Sequence, residues 1–101
     1  MQKKRYEILL PVRNNDGRPV SGELLELTRE ELVARFDGAT FVPGTVLGVW
    51  VHEGMRYEDE SRRIIVDADD TEETRLFFAA YKGTLLEHFE QIAIYTARGP
   101  D

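Results

Sequence analysis

At 101 residues, with 42% hydrophobic content and no cysteine, the chain fits one globular domain whose core needs no disulfide or thiolate metal site. Its formal charge of −6, from 19 acidic against 13 basic residues, argues against nucleic-acid binding, which needs a basic footprint to displace counterions from phosphates. No apolar run approaches the roughly 20 residues of a membrane span, and no secretory-type core follows Lys3-Lys4-Arg5, so a cytoplasmic protein with a solvated basic start is expected.

Residues 6–12 alternate as a strand, with Tyr6, Ile8 and Leu10 on one face and Glu7 and Leu9 on the other. Pro11 falls near its end, where a missing backbone donor does least harm. Asn14-Asn15-Asp16-Gly17 reads as a turn, since these residues tolerate positive φ. Ser21 is the expected N-cap of a first helix, with Glu23 and Glu26 early, where the helix dipole favours negative charge. Leu24, Leu25, Thr28, Leu32 and Phe36 form its buried stripe, and Gly38 is the expected stop after Arg35.

Pro43-Gly44 punctuates the chain before a second strand over residues 45–53. Gly54 then predicts a tight hairpin into a third strand over residues 57–67. Thr71 is the cap candidate of a second helix, followed by Glu72 and Glu73, and Phe77, Phe78, Tyr81, Leu85 and Phe89 make its apolar face. Gly83 lies within that helix at a cost of about 1 kcal/mol against alanine, which is read as a mark of close packing. Residues 92–97 close the order as a fourth strand before a polar tail.

The order β-α-β-β-α-β predicts a ferredoxin-like α+β sandwich over residues 1–101. Right-handed crossovers place two helices on one face of a four-stranded antiparallel sheet and leave the other face open. Alternation separates Leu47, Val49 and Val51, expected to meet the helices, from Val46, Gly48, Trp50 and His52 on the open face. A two-residue hairpin at Gly54 adds Tyr57, Asp59, Ser61 and Arg63 to the open face.

The candidate site residues are therefore Trp50, His52, Tyr57, Asp59, Ser61 and Arg63. Three readings stay open for them. An aromatic patch is costly to leave in water and is commonly covered by a second copy, which predicts a homodimer. Alternatively the face holds a small ligand, with His52 able to move a proton near neutrality and Asp59 able to fix its tautomer. It can also be plain surface.

Other constellations carry less chemistry. His52, Glu53, Tyr57, Asp59, Glu60 and His88 offer donors without a recognised ligand spacing, so no metal is assigned, and no cofactor motif is present. His88 suits the C-terminal turn of the second helix, where a cation complements the dipole. The loop from Arg13 to Arg18 combines guanidinium groups and turn amides in the manner of an anion cradle, although such turns are usually only turns. Ser61 has no histidine nearby in sequence to make it a nucleophile, and Glu58-Asp59-Glu60 reads as a solvated strand segment that discourages aggregation.

The run Gly48-Val49-Trp50, then Tyr57, Asp59-Glu60, Tyr81-Lys82, Phe89 and Gln91, resembles a family of small uncharacterised bacterial proteins over nearly the whole chain. The resemblance implies a ferredoxin-like fold and carries no activity to transfer. The architecture is also similar to dimeric α+β barrel proteins, among which are cofactor-free monooxygenases and isomerases, a similarity of fold and not of function. The leading expectation is a homodimeric domain that can enclose a small ligand on its open face. A cofactor-independent enzyme acting on a small apolar or aromatic molecule is the alternative, with His52 or Asp59 as base, and a protein-protein adaptor is a third.

Overall fold

A computed structural model describes residues 2–89 and 93–98. The elements are β1 (Lys3–Pro11), α1 (Gly22–Phe36), β2 (Thr40–Phe41), β3 (Val46–His52), β4 (Met55–Asp69), α2 (Glu72–His88) and β5 (Ala93–Arg98). Strand β4 pairs antiparallel with β1, and β1 pairs antiparallel with β5. On its other edge β4 carries β2 and β3 in succession, so five strands occupy four rows in the order β2/β3, β4, β1, β5. That is the ferredoxin-like arrangement expected from the element order. Ile92, expected at the start of the last strand, lies outside the described residues, as do Gln91 and residues 99–101 of the expected tail, whereas Arg98 belongs to β5.

One face of the sheet makes the core. Tyr6, Ile8 and Leu10 of β1 and Ile64, Val66 and Ala68 of β4 are buried together with Leu32 of α1 and Phe78, Tyr81 and Leu85 of α2. Both helices therefore cover the same face. Phe78 stacks on Tyr6 with ring centroids 3.9 Å apart and on Phe36 at 5.2 Å, so one ring ties α2 to both β1 and α1. Each fully buried residue of this size contributes about 1.5–3 kcal/mol relative to exposure, which makes the inner face of the sheet the main source of stability.

The helix starts follow their caps. Ser21 Oγ accepts from the Glu23 backbone N–H at 3.1 Å, and Thr71 Oγ1 accepts from that of Thr74 at 3.2 Å. The stop of α1 differs from expectation: the helix continues through Phe36, and Asp37 at φ 59° takes the left-handed position assigned to Gly38. The basic start differs too. Residues 3–5 belong to β1, where Lys3 Nζ meets Asp69 at 2.7 Å and Arg5 forks onto Asp67 at 2.9 and 3.2 Å. The Lys3 ammonium holds the Asp69 carboxyl below its usual range.

Gly83 is not closely packed. A Cβ built there would meet nothing within 4 Å, so the glycine costs helix propensity without serving a contact. Gly83→Ala is expected to stabilise the fold by about 1 kcal/mol, read as a higher urea midpoint at unchanged slope. A second expectation concerns Tyr81, whose phenol is pushed up to about 12 by burial, reinforced by the charge of Glu31. Its folded-state pKa exceeds the ordinary value of 10.0, so its contribution to stability is complete below pH 10 and is lost as pH rises towards about 12. Phenolate absorbance should show this group ionising only with alkaline unfolding, whereas Tyr81→Phe should blunt that alkaline loss.

Candidate functional site

The features that carry chemistry stand where β4 outruns the sandwich. β4 is 15 residues long, and its pairing with β1 ends at Pro11↔Ser61. Residues 55–59 continue beyond it and pair with β3, forming a two-stranded arm, while the Glu60 carbonyl still accepts from the Val12 N–H at 3.1 Å. Its tip, Glu53-Gly54, has φ 50° and 78°, the two positive values of a two-residue primed turn. This turn fixes the register, in which Trp50 faces Tyr57, Gly48 faces Asp59 and His52 faces Met55. The face shared by Trp50, His52, Tyr57 and Asp59 is thus the one read from the hairpin and its alternation.

On that face the Trp50 and Tyr57 rings stack with centroids 4.4 Å apart and 17° between planes. The Trp50 indole N–H donates to Asp59 Oδ2 at 2.7 Å. An aromatic cross-strand pair adds about 0.5–1.5 kcal/mol beyond its buried area, and the charge-assisted hydrogen bond selects one indole rotamer. Even so, Trp50 stays 47% exposed and Tyr57 38% exposed. His52 stands apart at the tip, with Glu53 at 3.7 Å as its charged neighbour. Asp59 therefore orients the indole rather than the imidazole.

The expectation that Leu47, Val49 and Val51 meet the helices is corrected. Their parity is that of the helix side, since Leu47 faces Glu60 and Val49 faces Glu58, two pleats on from buried Ile64. The helices do not reach so far along the arm, and these side chains are 62%, 49% and 68% exposed. β3 is exposed along its whole length.

Over the sandwich the open sheet face carries charged residues beside Ile65 and Leu9. Lys3–Asp69, Arg5–Asp67 and Glu7–Arg63 form a ladder of ion pairs across β1 and β4. Arg63, a candidate from the sequence, is thereby taken up by Glu7. Pairs of this exposure contribute little stability in water and keep that part of the face hydrated. The open face is thus two surfaces: a polar ladder over the sandwich and an aromatic patch on the arm.

Between them, at the foot of the arm, lies an open cleft of about 780 Å³. Leu9, Pro11, Val46 and Trp50 supply its apolar lining, Asp59 and Ser61 stand on the strand side, and Arg13, Asn14 and Gly17 form a wall. That wall is the turn read from sequence as an anion cradle. The Gly17 backbone N–H closes it onto the Asn14 carbonyl at 2.9 Å, and Asp16 sits 3.5 Å from Arg18. Leu9 and Gly48 are not among the candidate site residues of the sequence, and Arg13 and Asn14 enter there only as part of that turn. Only Gly48, a glycine inside a strand pattern, carries a local signal for open space. Among the described residues no group of three or more His, Asp or Glu is gathered to hold a metal ion, and no helix is long and apolar enough to cross a membrane.

Tyr57→Ala and Asp59→Ala are each expected to shift the emission of Trp50, the chain's only tryptophan, to the red. Far-UV circular dichroism should not change, because both side chains lie outside the buried core. An unshifted spectrum in both variants would show that stack and hydrogen bond do not hold the indole.

No family model matches this sequence, and no curated protein matches it. Among solved structures the chain is similar to the divalent cation tolerance protein Cut A1 from Thermus thermophilus, with a TM-score of 0.63 at 16% identity over 98% of this chain and 85% of that one. At this identity the likeness is one of fold, and it agrees with the strand order above in making the chain a ferredoxin-like α+β protein.

Proposed function

We propose that residues 1–101 form one domain that self-associates as a homodimer through the β3–β4 arm, with a small ligand held in the cleft at the arm's foot. The observation that carries this reading is β3 itself, seven residues exposed along their whole length with apolar side chains on both faces. An uncharged edge strand of this kind, unpaired on its outer side among the described residues, is an aggregation hazard in a lone molecule, and a second copy is the partner always available to cover it. The charged ladder over β1 and β4 argues that the contact centres on the arm and not on the open face as a whole. The acidic balance and lack of cysteine support a reducing, cytoplasmic setting and speak against nucleic acid as a partner.

A cofactor-free enzyme is a second reading with one observation behind it. Asp59, one of the two bases considered from sequence, lines the cleft beside Trp50, whereas His52 does not. Such an enzyme would use Asp59 on an acidic C–H or O–H of a bound apolar molecule.

Light scattering decides the association. A dimer at micromolar concentration is expected, with Trp50 emission shifting to the blue as concentration rises. Val51→Lys, at a position outside the core, is expected to give a folded monomer. A wild-type monomer at the same concentration overturns the proposal.

A further inference from the structure

The cleft at the arm's foot has a composition that selects a class of ligand. Asp59 is the carboxylate that shares its strand face with Trp50, and Arg13 stands in the wall; Glu58 and Glu60 also border the cleft, but alternation turns their side chains to the other face of β4 with Val49 and Leu47. Those two have partners of their own: Glu58 accepts from Arg56 at 3.2 Å, and Glu60 accepts from the Thr45 hydroxyl at 2.8 Å. Asp59 differs. It spends Oδ2 on the Trp50 indole, and Oδ1 has no hydrogen-bond donor among the described residues.

The indole hydrogen bond does two things at once. It fixes the direction of the carboxylate, and it brings an exposed aromatic ring against an anionic oxygen. Gly48 directly faces Asp59 across the ladder, and a Cβ at that position would meet only the Asp59 carbonyl oxygen at 3.8 Å. The missing side chain leaves a notch beside the carboxylate, with Val46 and Ser61 as the next pair along the same face. Leu9 and Pro11 extend the apolar lining towards the body of the sheet.

We propose that this cleft is a binding site for a small organic cation, an amine on a flat apolar body, with its ammonium on Asp59 and its body in the Gly48 notch against Trp50. The chemistry combines a charge-assisted hydrogen bond, cation–π attraction from the indole, and burial of apolar surface. An anion of the same shape meets the Asp59 carboxylate and is disfavoured. This inference rests on the ligand part of the function proposed above and is independent of self-association.

Trp50, the chain's only tryptophan, reports on the site directly. The full chain is titrated at constant ionic strength with 2-phenylethylamine and, separately, with 3-phenylpropionate, which reverses the charge on a similar body. The amine is expected to change Trp50 emission saturably, with half-saturation at about 1 mM or tighter, and the acid is not. Asp59→Asn keeps an oxygen to accept from the indole and removes the charge, so amine affinity should fall about tenfold or more. Gly48→Val suits a strand and fills the notch, so the protein should fold and lose the response. Saturation by the acid and not the amine would overturn the cation class while leaving a ligand cleft. No response to either molecule would overturn both the class and the cleft as a ligand site. Undiminished amine binding in both variants would overturn this location.

Discussion

Everything distinctive in this molecule depends on one continuous strand. β4 hydrogen-bonds to β1 on one edge and to β2 and then β3 on the other, and it runs without a break from the arm's tip to the centre of the sandwich. Its inner half delivers Ile64, Val66 and Ala68 to the core. Its outer half carries Tyr57 and Asp59, and the pleat couples the two. A slip of one residue would turn the aromatic pair to the other face, and it would also turn Ile64 and Val66 out into water. The core therefore sets the facing of the site, at a distance, through strand geometry alone.

The edge opposite β1 shows how the chain accommodates that length. β2 and β3 lie on the same edge of β4, with Phe41 facing Ile64 and Val46 facing Ser61, so residues 42–45 stand opposite residues 62–63. Pro43 and Gly44 occupy this bulge. Proline needs no ladder donor there, and Gly44 takes φ 81°, open to glycine with little strain. Thr45 then ties to Glu60, anchoring the base of the arm. The bulge separates an edge that belongs to the sandwich from an edge that belongs to the arm.

Charge is distributed to match. Lys and Arg at the start of β1 meet Asp residues at the end of β4, so the charges on that part of the face satisfy one another. The arm has a β3 without Asp, Glu, Lys or Arg, an aromatic stack, and a cleft in which Asp59 stands beside Trp50. Function is assigned to the arm because its strand β3 keeps apolar side chains exposed on both faces. Hydrophobic side chains scattered singly on a surface mean little, whereas a contiguous set on one projecting hairpin is informative.

The element order apart from the two-residue β2, the helix caps at Ser21 and Thr71, and the facing of Trp50 with Tyr57 and Asp59 were legible in the sequence. They arise from local rules: hydroxyl caps satisfy adjacent N–H groups, strands alternate with period two, and a two-residue turn sets register. What the sequence could not decide was reach. Leu47, Val49 and Val51 have the alternation of a buried strand face, and their parity is right, yet no local rule says where the helices stop covering the sheet. Nor could it say that Lys3 and Arg5 meet Asp69 and Asp67, or that the Asn14–Gly17 turn lines the same cleft as Asp59, since those partners lie far apart in sequence. Local patterns determined which side each residue faces. Only tertiary structure decided what lies opposite it, because coverage depends on the relative lengths of elements distant in sequence.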